Sequence, residues 1–306
     1  METGSDPGND GPYWLAAHVY FGLCARHAVL MDLRHDRYHA VQPAEALAGW
    51  VHGWPLPGER TAPAPPIVRR LLAQGLLVRD ARRGRMAVAA SAREPTRTLL
   101  EFDFANRPTA GARAAADLAR AWATARLWLA MFSMQTVLGR VGARGAVRGA
   151  CRGAWDWDRA HELVMRFVHL RPLFYTAREA CLLDSLTLLN FLALHDVYPQ
   201  WVFGVRTAPF HAHCWVQQED VLYNDMPERV RQYTPMLRIE GCVGTSRSSG
   251  TIASPARRGP RTRWRPDSGG NRNRGAACST PVARGFAAPG NPGGKARRAS
   301  SRTALA

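Results

Sequence analysis

Apolar and polar positions alternate with a period near two at the start of the chain. YWLAAHVYFGLCA (13–25) alternates loosely and is aromatic-rich, which predicts a strand. AVLMDL (28–33) predicts a second strand, and HDRYHAV (35–41) a turn and a short third strand around Tyr38. Together they form an expected antiparallel meander. The period then lengthens. Pro43 opens a predicted helix, AEALAGWVHGW, with Leu47, Trp50, Val51 and Trp54 on one face. After the Pro-rich loop PLPGERTAPAPP, the stripe Ile67, Leu71 and Leu72 predicts another helix, ended by Gly75. LLVRD and RMAVAA flank a turn at RRG and predict a two-stranded wing. Three strands, helices and a terminal hairpin point to a small winged-helix-like module over 12–90, preceded by a polar, disordered 1–11.

Residues 91–109 carry a proline near each end and read as a linker. From Ala110 to about Leu138 the composition predicts one long helix, with Leu118, Trp122, Leu129 and Phe132 facing a core. RVGARGAVRGACRGAW is Gly/Arg-rich and reads as a loop. Asp156 or Asp158 caps the next helix, DRAHELVMRFVHLR. Leu182, Ser185, Leu186 and Leu189 give a further, amphipathic helix opening at Cys181. YPQWVFGVRTA, HAHCWVQQ, VLYND and QYTPMLRIE then predict an antiparallel sheet. Helices first and strands afterwards give an α+β second domain over 110–240. From Gly241 the periodicity stops, and a Gly/Ser/Pro/Arg-rich tail over 241–306 is expected to be disordered. Its style is so foreign to the rest that a read-through or frame-shifted origin suggests itself.

Composition changes this picture in three places. The net charge of +17 suggests nucleic acid, but the tail carries all except about +5 of it, so the folded part is only modestly basic. The six cysteines show no CxxC pair, which speaks against a zinc ribbon or a disulfide framework. No apolar run reaches the roughly 18–20 residues of a membrane span, and the N-terminus lacks the features of a secretory signal, so a cytoplasmic address is expected.

The candidate chemistry lies between Cys181 and Asp225. A thiol at a helix start has its pKa lowered by unpaired N–H groups, which can also stabilise an oxyanion. His213 on a following strand offers a base, and Asp225, one hairpin further on, a carboxylate to orient it. His213 and Trp215 alternate with Cys214 and Val216, so one face presents the imidazole while the other packs. The residues alone leave other readings open. A cysteine can start a helix for packing alone, His211 competes for the role of base, and Asp225 after Asn224 also suits a turn. Arg178 and Glu179 precede the thiol as possible contributors.

The run CLLDSLTL, FGV, AHCWV and ND resembles the C…SL…GV…HAWVE…D pattern of the transglutaminase-like cysteine peptidases of lasso-peptide biosynthesis. These are the B proteins that cut the leader from microcin J25-type and capistruin-type precursors. The resemblance covers roughly 110–240. It implies a papain-like fold and a triad of Cys181, His213 and Asp225, and it does not require His211. Two departures are Cys214 where the pattern usually has Ala and Gln217 where it usually has Glu.

YWLAAHVYF, VLMDLRHDRYHAV and LLAQGLLV resemble the PqqD-like precursor-recognition element, which some such systems fuse ahead of the peptidase. The resemblance implies that a leader peptide adds as a strand to the meander and rests against the following helix. The groove then lies between Arg37, Tyr38 and His39 and the helix carrying Arg69 and Arg70, whose charge suits acidic leader groups. It also implies a partner, an ATP-using, asparagine-synthetase-like macrolactam synthetase. The peptidase is expected to need no metal or cofactor, with ATP required only through that partner, and to engage neither membrane nor nucleic acid. Two other functions remain compatible with the residues: acyl transfer by a transglutaminase or amidase, and a winged-helix nucleic-acid binder with a non-catalytic second half.

Overall fold

The structure is a computed structural model and describes residues 12–24, 26–60, 63–100, 111–148, 155–175 and 180–241. The disorder expected for 1–11 and for the tail from 242 onward lies outside them, as do Arg178 and Glu179.

The meander forms as expected: β2 (Val19–Cys24), β3 (His27–Asp32) and β4 (Arg37–Val41) are antiparallel in the order β2-β3-β4. The first predicted strand is in fact two. The chain turns at Ala17–His18, and β1 (Trp14–Ala16) leaves the meander to lie between β5 (Leu77–Val78) and β6 (Gly84–Arg85). The expected wing strands therefore do not pair with each other. Leu15 and Ala16 are buried and take the central place. The helix expected from Pro43 shrinks to a 3-10 turn, Ala44–Leu47. Gly49 and Gly53 adopt left-handed φ values of 70° and 75°, which stop a helix; Trp50 and Trp54 are still buried in the core. Helix α1 (Pro66–Ala73) follows, burying Val68 and Leu71.

The stretch read as a linker contributes β7 (Arg97–Thr98), which joins the second domain's sheet. The long predicted helix is broken into α2 (Ala112–Met131) and α3 (Met134–Arg148) at Phe132, whose backbone is extended. The Ser133 carbonyl accepts from Val137 N–H, and its hydroxyl lies 3.4 Å from Thr136 N. The expected Gly/Arg-rich loop is thus helical to Arg148. Glycine costs about 1 kcal/mol per helical site, but arginines on this helix find partners. Arg140 lies 3.8 Å from the Phe132 ring centroid, and Arg144 lies over Trp128 while its guanidinium donates to Asn190 Oδ1 at 2.8 Å. Asp156 caps α4 (Trp157–Leu170) by accepting from Arg159 N–H at 3.0 Å.

Helix α5 (Cys181–Ala193) packs on α2, α4 and β9 (Phe210–Gln218). Every residue from Asp184 to Leu192 is buried, so it is a central helix rather than an amphipathic one. With β8 (Gln200–Thr207), β10 (Val221–Leu222) and β11 (Thr234–Ile239), the five-stranded sheet runs β11-β8-β9-β10-β7, with β7 parallel to β10 and the other pairs antiparallel. A short helix, α6 (Pro227–Val230), lies between β10 and β11. No helix among the described residues is long and apolar enough to cross a membrane.

The two faces of the β2–β4 sheet do different work. Val19, Phe21, Ala28, Leu30 and Val41 pack with α1 and the 3-10 turn. Cys24, Val29 and Met31 pack into the same core as α2, α4, α5 and β8. The N-terminal sheet is therefore seated on the second domain, and β2 lies against β8 and β11.

Candidate functional site

Helix α5 carries Cys181 at its first position, and Ala180 before it supplies no side-chain cap. The first-turn N–H groups of a helix lack intrahelical acceptors, so the thiol sits where positive potential gathers. Cys181 shares a small cleft with Leu182, Phe203, Ala212, His213, Cys214 and Tyr38.

β9 delivers the imidazole. Cys214 and Val216 point into the large core, while His213 and Trp215 point to the other face. There His213 stacks on Trp215 at 6.0 Å and lies 5.0 Å from the Tyr233 ring. Its Nε2 donates to Asp225 Oδ2 in a buried hydrogen bond; the carboxylate can only accept, which places the proton on Nε2. Nδ1 is buried and not engaged by Asp225, and it is the nitrogen left for the thiol. Burial disfavours the imidazolium, but the Asp225 carboxylate and the Cys181 sulfur outweigh it and hold His213 above its ordinary pKa. Cys181 is held well below the ordinary thiol value. A hydrogen bond with the Cys214 thiol contributes most, burial opposes, and His213 adds a hydrogen bond and charge. Cys214, fully enclosed, is pushed the other way by burial and by its neighbour. These shifts all favour a thiolate–imidazolium pair beside a protonated second thiol.

Asp225 lies just past β10, in a bend rather than on a strand. Its Oδ1 accepts from Met226 N–H at 2.8 Å, and its carbonyl accepts from Thr98 Oγ1 at 2.8 Å. Thr98 belongs to β7, so the supposed linker holds the third member in place. Asn224 ties this bend to the helix that carries the thiol. Its Nδ2 donates to Asp184 Oδ2 at 2.9 Å and Ser185 Oγ at 3.1 Å, and its Oδ1 accepts from Val216 N–H at 2.9 Å. Asp184 is closed off by Arg171 and Tyr175, each at 3.0 Å.

The structure thus brings Cys181, His213 and Asp225 together. It places His211 apart from the carboxylate: Nδ1 pairs with Tyr233 Oη at 3.1 Å, and burial, then the Arg206 charge, lowers its pKa. The five residues expected in a leader groove divide. Arg70 is close enough to His39 for its charge to lower that imidazole's pKa, after burial. Tyr38, between Arg37 and His39 on β4, points to the opposite face and into the thiol cleft, as strand alternation requires. The sequence reading missed the contributions of Thr98, Asn224, Tyr233 and Tyr38 to the site, because each comes from a different stretch. Gln217 has its own reason to be an amide: it donates to Arg93 O at 3.0 Å and Glu219 O at 2.9 Å, which a carboxylate cannot do. A cavity of about 760 Å³ between α3 and the end of β11 is lined by none of the triad.

Residues 125–238, from within α2 to the end of the sheet, match the model of the transglutaminase-like superfamily. The matched part includes Cys181, His213 and Asp225. No curated protein and no solved structure matches the chain.

Proposed function

We propose that this protein is the leader peptidase of a lasso-peptide system. The observation that carries the proposal is the buried His213–Asp225 pair set against a thiol at a helix start, beside an N-terminal sheet in which β4 is an edge strand among the described residues. In this reading a precursor leader adds as a strand along β4. Arg37 and His39 on β4, with Arg69 and Arg70 on α1, face its acidic groups.

The Cys181 thiolate attacks the scissile carbonyl at the leader–core junction. The carbonyl electron pair moves to oxygen, where the first-turn N–H groups of α5 receive it. On collapse, His213 gives its proton to the leaving amine of the core, and the leader stays on sulfur as a thioester. Water, deprotonated by His213, releases the leader acid. Asp225 holds the ring through Nε2, so Nδ1 performs both transfers. None of these steps uses a metal or cofactor; the freed amine passes to an ATP-using, asparagine-synthetase-like macrolactam synthetase.

Mass spectrometry of a precursor incubated with the protein tests this. Leader acid and free core are expected from the natural chain and neither from Cys181→Ala. The superfamily also holds transglutaminases, and the same thioester serves them. An amide formed with added amine, in place of leader acid, would sink the peptidase reading and leave acyl transfer.

A further inference from the structure

Tyr38 does not belong to the part of the chain that matches the superfamily model, which begins at residue 125. It nevertheless lines the cleft of Cys181 and His213. Its position is well fixed. Asp32, at the end of β3, accepts from the backbone N–H groups of Arg34 and His35, shaping the turn into β4. Tyr38 then pairs across the ladder with Met31, whose side chain is in the second domain's core. The edge of its ring meets Phe210, the first residue of β9, at 5.4 Å. No hydrogen bond occupies its hydroxyl among the described residues. A phenol placed beside a nucleophilic sulfur with no partner of its own is a donor waiting for an acceptor.

We propose that Tyr38 is a catalytic residue contributed by the N-terminal sheet: its hydroxyl donates to the substrate carbonyl oxygen as negative charge develops there, alongside the first-turn N–H groups of α5. The proposal rests on the thiol chemistry put forward above. As the Cys181 S–C bond forms, the carbonyl π pair moves to oxygen and the Tyr38 O–H hydrogen-bonds to it without giving up its proton. The pair returns on collapse, and the leaving group departs. Burial, then the neighbouring Cys214 and Cys181 sulfurs, pushes the phenol above its ordinary pKa, so it remains a donor across the working range. It follows that the thiol site is complete only with the N-terminal sheet in place.

The test compares two reactions of the same thiol in the full chain. Acylation by p-nitrophenyl acetate passes through an oxyanion and is read as a burst of nitrophenolate. Alkylation by iodoacetamide displaces iodide at carbon and forms no oxyanion. Tyr38→Phe is expected to slow the burst by roughly a hundredfold, the loss typical of one oxyanion donor, and to leave alkylation of Cys181 unchanged. A ring that only packs would give equal bursts for Tyr38→Phe and the natural chain, and that result overturns the proposal. So does a fall in both reactions together, which assigns Tyr38 to the integrity of the cleft. A natural chain without a Cys181-dependent burst overturns the thiol reading itself, and the proposal with it.

Discussion

At the scale of single residues, the site is a proton-ordering device. Asp225 fixes the His213 proton on Nε2, and the sulfur and ring nitrogen share a second one. Cys181 has a depressed pKa and His213 a raised one, so the reactive ion pair exists between them. Acylation should therefore rise as pH climbs through the thiol's lowered value and fall as it climbs through the imidazole's raised value, a bell that a stopped-flow pH series will trace. His213→Ala is expected to move the iodoacetamide profile of Cys181 upward, because it removes a hydrogen bond and a charge that favour the thiolate. The same substitution should cost more than a hundredfold in turnover, whereas His211→Ala, whose imidazole pairs with Tyr233, should cost far less. Comparable losses at both positions would leave the identity of the base open. Asn224→Ala leaves Asp184 Oδ2 and the Val216 N–H, both inside the protein, without the Asn224 amide. Urea unfolding should show about 1–3 kcal/mol lost, together with slower acylation as α5 and the Asp225 bend lose their tie.

At the scale of elements, the sheet works because one strand yields room. Gly204 on β8 stands opposite His213, and a methyl group there would meet the Trp215 ring at 2.9 Å. The ring is fully buried and cannot swing out at low cost. Gly204→Ala is expected to destabilise by about 1–3 kcal/mol through overpacking and to disturb the Trp215–His213 stack. Chemical denaturation and near-ultraviolet circular dichroism would register the two effects; an unchanged midpoint would mean that the strand shifts to accommodate the methyl. The elements also show where a pattern along the chain misleads. Leu, Ser and Thr along α5 look amphipathic, yet the helix is buried on all sides because Asp184, Ser185 and Asn190 find partners on neighbouring segments. The Gly-rich run after Leu138 has poor helix propensity, and its arginines are held on aromatic rings that belong to α2 and its end.

At the scale of the molecule, the β2–β4 sheet shares one core with the helices and the five-stranded sheet that follow it. Val29, Met31 and Leu33 are packed with α5 and β8, and each such fully buried side chain contributes roughly 1.5–3 kcal/mol. Deleting residues 1–90 exposes this face, so the remaining domain is expected to bind a hydrophobic dye and to aggregate. A well-folded monomer of the residual fragment, with cooperative unfolding, would count against a shared core. The seating also places Tyr38 of β4 at the thiol cleft.

The sequence alone determined what depends on local periodicity and local chemistry. The start of α5 at Cys181, the alternation that sets His213 opposite Cys214, the meander and a cap at Asp156 or Asp158 were all legible, because each is decided within a few residues. That Cys181, His213 and Asp225 lie near one another was readable too, since a helix, a strand and the bend after the next strand fall within a single stretch. Only the tertiary structure decided that Thr98 anchors Asp225, that Asn224 joins the bend to the helix, and that Tyr38 leaves its expected groove for the cleft. Thr98 and Asp225 alone lie 127 residues apart, and no periodicity carries such a separation. Such contacts arise when two sheets bury their apolar faces together, which fixes every polar group along the seam at once.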